Sequence, residues 1–80
     1  MPTFDTIEEV ADYTATTRFD DCVDSATQAQ LMCDKVGYNT LLVDLWRGGK
    51  YDNKHEVCIA WDIAGEWHLF SNNEYGMILY

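Results

Sequence analysis

Basic side chains are scarce in this chain: five Lys and Arg stand against fourteen Asp and Glu in 80 residues, a formal net charge of −9. That imbalance excludes nucleic acid as a direct ligand over most of the surface, because phosphates are repelled. It disfavours anionic membranes for the same reason. Long apolar runs are missing as well, and no stretch approaches the ~18 apolar residues of a membrane-spanning helix. The opening MPTFDTIEEV is acidic and lacks the apolar core of a secretory signal, so a cytoplasmic location is expected. The three cysteines, Cys22, Cys33 and Cys58, are odd in number and form neither a CxxC pair nor a disulfide-framework rhythm. They read as reduced thiols packed as small hydrophobes.

Recognisable catalytic patterns are absent too. There is no GxSxG, no HExxH and no phosphate-cradling GxxxxGK[ST], and Arg47-Gly48-Gly49-Lys50 is too short to be more than a turn. His55-x-x-Cys58 has ligand-like spacing, but no second pair completes a zinc site. FDDCVDSAT lacks the alternating ligands and central glycine of a calcium loop. His55 ends a loop and is expected to be solvated, and His68 sits mid-strand, where an exposed or hydrogen-bonded structural histidine is expected. A Cys–His pair of Cys58 with His55 or His68 has no group to orient or activate it. No catalytic residue, metal or cofactor is therefore expected, and the chain reads as non-enzymatic.

What is present is a folding sequence. Hydrophobic residues make up 48% and aromatics 14%, well outside the signature of disorder. The length suits a single domain, residues 1–80, which at this size buries only roughly 60% of its unfolded surface. Thr6-x-x-Glu9 has capping-box spacing, and Ile7, Val10 and Ala11 follow at i, i+3, i+4, so a first helix is expected to run to about Tyr13. YTATTRF is β-branched and aromatic, which suggests an extra edge strand near residues 14–22. Ser25-x-x-Gln28 repeats the box, Ala29, Met32, Cys33 and Val36 form a helical stripe, and Gly37 follows as a C-cap, predicting a second helix over 25–36. From Thr40 the period becomes two. LLVDLW (41–46) is nearly all apolar and predicts a central strand, and EVCIAWD (56–62) is a second with Val57, Ile59 and Trp61 toward the core. EWHLF (66–70) and YGMILY (75–80) follow after turns at Ala64-Gly65 and 71–74. Short links imply antiparallel neighbours. The fold class is α+β: two N-terminal helices packed on an antiparallel meander of about four strands.

The charge is concentrated. Residues 1–24 hold Asp5, Glu8, Glu9, Asp12, Asp20, Asp21 and Asp24 against the single Arg18, a net −6, whereas residues 25–80 carry seven acids and four bases. Solubility needs no such clustering. Carboxylates one helical turn apart, such as Glu8 and Asp12, or alternate residues of an extended segment, place negative charges several ångströms apart along one face. A groove built for phosphates accepts that pattern. The seven acids are thus the candidate partner-binding residues, and the expected partner is a basic protein, a nucleic-acid-binding enzyme or complex. Trp46, Trp61 and Trp67 are candidate apolar anchors, Trp61 being expected in the core.

In size, charge and order of elements the chain resembles phage-encoded inhibitors. Uracil-DNA glycosylase inhibitors are likewise small acidic domains with two helices before an antiparallel sheet, and acidic anti-CRISPR and anti-restriction proteins are similar in kind. The resemblance lies in architecture and charge, without a shared motif, so it assigns no residue. It implies a DNA mimic acting in a host cytoplasm. Two other readings fit the same composition: an immunity or antitoxin protein that neutralises a basic nuclease toxin, and an acidic structural domain of a halophile whose charge is only solvated.

Overall fold

The computed structural model describes residues 3–45, 55–72 and 74–78. Helix α1 spans Ile7–Thr16 and helix α2 spans Cys22–Val36; strands β1 (Asn39–Leu45), β2 (His55–Trp61), β3 (Trp67–Ser71) and β4 (Glu74–Ile78) follow. The strands form one antiparallel sheet in the order β1-β2-β3-β4. The expected α+β order of helices before a meander is what the chain adopts. Trp46, the link 47–54 and the last two residues of YGMILY lie outside the described residues.

Each helix begins where a side chain accepts from the free backbone N–H groups of its first turn. For α1 this is the expected capping box: Thr6 Oγ1 accepts from the Glu9 N–H at 3.3 Å, and Glu9 Oε1 accepts from the Thr6 N–H at 3.1 Å. For α2 the cap is Asp21 rather than Ser25; Asp21 Oδ1 accepts from the Asp24 N–H at 2.8 Å. Ser25 is instead buried inside the helix, where its hydroxyl donates to the Asn72 carbonyl at 3.0 Å and ties α2 to the β3–β4 turn. At the other end Gly37 adopts φ 110°, and the N–H groups of Gly37 and Tyr38 both reach the Cys33 carbonyl. A side chain at that φ is strained, which is why glycine closes the helix.

The extra edge strand near residues 14–22 is not formed. Residues 14–16 complete α1, and only five residues separate it from α2. The reason is local: Thr14 Oγ1 donates to the Ala11 carbonyl at 3.0 Å and Thr16 Oγ1 to the Asp12 carbonyl at 2.9 Å. These hydroxyls satisfy carbonyls of the last turn, so the β-branched run ends a helix instead of starting a strand.

Both helices cover one face of the sheet. Ile7, Val10 and Ala11 of α1 and Ala26, Ala29, Met32 and Cys33 of α2 enclose Cys58, Ala60 and Phe70. This reverses two expectations. On β2 it is Cys58 and Ala60 that face the helices, while Ile59 and Trp61 lie half-buried on the other side. β1, expected to be central, is an edge strand whose Leu41 and Leu45 remain 54% and 48% exposed. A nearly continuous apolar run does not say how many neighbours a strand has.

Phe70 is the largest fully buried side chain. Truncating it (Phe70→Ala) is expected to cost about 3–5 kcal/mol, and Asp21→Ala about 1 kcal/mol through the lost cap. Urea unfolding followed by far-UV circular dichroism measures both.

Candidate functional site

The acids singled out from the sequence all lie in the helix layer and its connections. Asp5, Glu8, Glu9 and Asp12 belong to α1 and its approach, and all four are exposed. Asp20 and Asp21 are exposed ahead of α2, and Asp24 is half-buried in its first turn. Among the described residues none of these seven is ion-paired. Their charge is therefore directed at solvent rather than cancelled internally.

The seven fall into two groups. α2 has 15 residues and is thus about 22 Å long. Asp20, Asp21 and Asp24 stand at its start, whereas Glu8 lies near its end, close enough to Tyr38 to act on it electrostatically. Asp12, one turn beyond Glu8, lies between the groups. The structure adds two acids that the sequence reasoning left out. Asp62 and Glu66 close the β2–β3 turn, with the Glu66 N–H donating to Asp62 Oδ1 at 3.1 Å. Burial first, then the charges of Asp62, Glu66 and Glu8, hold the Tyr38 hydroxyl above its ordinary pKa. Acids far apart in the chain thus act together on one phenol. The signal available beforehand was the near-symmetric WDIAGEW, in which a tight turn sets Trp61 opposite Trp67 and brings the flanking Asp62 and Glu66 together.

Three of the seven acids have a second task. Glu9 accepts from the Asp5 and Thr6 N–H groups, Asp21 from the Asp24 N–H, and Asp24 from the Asp20 N–H at 3.2 Å. These carboxylates are held in fixed positions by the backbone, at the positive ends of both helix dipoles. Beside Glu9 and Asp12 the α1 surface carries a shallow groove of about 380 Å³ lined by Phe4, Glu9, Asp12, Tyr13 and Thr16. The rings of Phe4 and Tyr13 lie 5.4 Å apart at 48°. Aromatic faces beside two carboxylates suit a lysine or arginine side chain.

The remaining candidates of the sequence reading are placed elsewhere. His55 is half-buried with Nε2 2.8 Å from Ser71 Oγ, not simply solvated. Because positions three apart on a strand face opposite sides, His55 and the core-facing Cys58 do not share a site. His68 is buried, 5.5 Å edge-on to Tyr38, and its Nε2 lies 3.4 Å from Glu66 Oε1. Trp61 stacks on Trp67 at 4.8 Å on the outer sheet face, away from the acids. Burial, with the nearby Cys58 and Asp34, pushes the Cys33 thiol up to about 12, and burial with Asp34 does the same to Cys58. Both are neutral thiols at physiological pH and pack as hydrophobes.

Comparison with known proteins returns nothing: no family model, no curated protein and no solved structure matches the chain.

The thiols generate a prediction with a definite sign. Cys33 and Cys58 keep their protons in the fold up to about 12, whereas an unfolded chain loses them near 9.0. The unfolded state therefore binds fewer protons through that window, and stability falls as pH rises above about 9. Urea midpoints across this range are expected to decrease. At about pH 8 a thiol reagent is expected to label Cys22 quickly and the other two only on unfolding; fast labelling of all three would contradict their burial.

Proposed function

We propose that this chain is a non-enzymatic inhibitor that binds the basic nucleic-acid-binding surface of a target protein, its carboxylates standing in for phosphates. The observation that carries the proposal is a set of carboxylates in the helix layer with no ion-pair partner among the described residues: the exposed Asp5, Glu8, Glu9 and Asp12 on α1 and its approach, and the exposed Asp20 and Asp21 with the half-buried Asp24 at the start of α2. A cationic cleft gains from such an array twice. Long-range attraction speeds encounter. On contact, carboxylates already fixed by capping bonds lose little conformational freedom, so less of the interaction is spent on ordering them.

The arrangement also supports a division of labour within the surface. Glu8 and Asp12 present charge one turn apart, with Cβ atoms about 6 Å from each other. The groove lined by Phe4, Tyr13, Glu9 and Asp12 takes one basic side chain of the target and supplies the apolar contact that charge alone lacks. Sequence reasoning looked to the tryptophans for this anchor; Trp61 and Trp67 lie on the other side of the sheet, and Trp46 lies outside the described residues.

The test is a charge reversal that spares the caps. Asp21 must be left in place, because it holds the α2 terminus. In the triple variant Glu8→Lys, Asp12→Lys, Asp20→Lys the fold is expected to persist, with an unchanged circular dichroism spectrum. The immobilised wild-type chain is expected to capture nucleic-acid-binding proteins from a host lysate and to release them to added duplex DNA. Capture is expected to fall roughly tenfold or more between low and high salt and to be lost in the triple variant. Capture that is insensitive to salt, or that duplex DNA does not displace, would remove the proposal.

A further inference from the structure

The groove on α1 carries more chemistry than a bare acidic face. Glu9, Asp12, Tyr13 and Thr16 line it, and their spacing of i, i+3, i+4 and i+7 puts them on one side of the helix. That side is turned away from the buried Ile7, Val10, Ala11 and Thr14. At the rise of a helix the stripe is about 10 Å long, and Phe4 joins it from the approach to α1. The Phe4 and Tyr13 rings pack on each other and against the core, so both are held in place. Glu9 is held too: its Oε1 accepts from the Asp5 and Thr6 N–H groups and from the Thr6 hydroxyl. Among the described residues no hydrogen bond uses Glu9 Oε2 or either carboxylate oxygen of Asp12. Arg18, the single base of residues 1–24, stands two positions past Thr16, yet it is exposed and has no ion pair among the described residues. The chain's own arginine leaves these acceptors open.

We infer that this groove is a binding site for one arginine side chain and takes it in preference to lysine. The inference rests on reading the chain as a binder of a basic protein, and it names the residue type that the groove selects. Two carboxylates repel a carboxylate or phosphate ligand and are left uncompensated by a neutral one, so charge complementarity commits the site to a cation. The aromatic lining then separates the two cations that a protein offers. A guanidinium is planar and weakly hydrated; it lies flat on a ring while the N–H groups at its edge still reach carboxylates. Its donors match the open acceptors, a bidentate pair on Asp12 and a single bond on Glu9 Oε2. An ammonium is compact and strongly hydrated, and it must shed water to touch a ring. A shallow groove gives it little reason to do so. Because Glu9 and both rings are fixed before the ligand arrives, little ordering is required of the site.

Titration of the ¹⁵N-labelled full chain with Nα-acetyl-arginine methylamide, followed by NMR at a constant salt of about 0.1 M, tests the site. Saturable shifts are expected at Phe4 and along α1, with a Kd of about 1 mM, and the corresponding lysine derivative is expected to bind at least about threefold more weakly. Tyr13→Leu keeps an apolar side chain beside Phe4 and removes the ring, so it should weaken arginine about fivefold and erase the preference. Asp12→Asn alters an exposed side chain with no hydrogen bond of its own, so the fold should persist and arginine binding should fall about fivefold. Glu8→Gln removes a charge from the same helix outside the groove and should change the Kd less than about twofold. Lysine bound as tightly as arginine, equal losses from Glu8→Gln and Asp12→Asn, or the absence of saturable shifts on α1 would each overturn the inference. The lysate capture reports separately. Arginine binding by a chain that captures no nucleic-acid-binding protein would remove the inhibitor and keep the site, whereas capture by a chain that shows no arginine shifts would overturn the site and keep the inhibitor.

Discussion

The seam between α2 and the inner face of the sheet is the contact on which the rest of the molecule depends. It is made mostly of small side chains, Ala26, Ala29 and Cys33 on the helix with Cys58 and Ala60 on β2. Small residues let the helix approach the strand closely, and close packing gains dispersion contacts that a gap of even half an ångström would forfeit. Phe70 and Met32 fill the volume that remains. Because the seam lies under β2, α1 is left to pack beside α2 and over β4, and every charged position of α1 turns outward.

This one-sided packing separates two chemistries that are mixed along the chain. Carboxylates collect in the helix layer and the β2–β3 turn, and the apolar residues that the helices do not cover collect on the outer sheet face.

The acidic surface is not independent of the fold that carries it. Glu9, Asp21 and Asp24 both cap helices and contribute to the negative field, so removing them changes stability and electrostatics together. Glu8, Asp12 and Asp20 donate no side-chain hydrogen bonds and accept none among the described residues, and they report on charge alone. The distinction matters for any substitution series, because loss of binding through loss of a cap is not loss of a contact.

The sequence by itself determined the elements whose causes are local. The Thr6–Glu9 box, the Ala29-Met32-Cys33-Val36 stripe, Gly37 and the alternation after Thr40 were each legible, because a cap, a stripe or a pleat is decided by neighbours within a few positions. It also determined that charge gathers near the N-terminus. Even so, local signals misled where two were in competition: the threonines after Tyr13 bonded back to their own helix, and Ser25 went to Asn72 while Asp21 took the cap. What only the tertiary structure decided was which side of each strand faces inward and what lies at an edge. Alternation leaves two phases equally plausible, and the choice of Cys58 and Ala60 over Ile59 and Trp61 was made by how closely α2 can approach. The joint action of Asp62, Glu66 and Glu8 on Tyr38 follows from that choice, since interactions between residues distant in the chain exist only once the layers have packed.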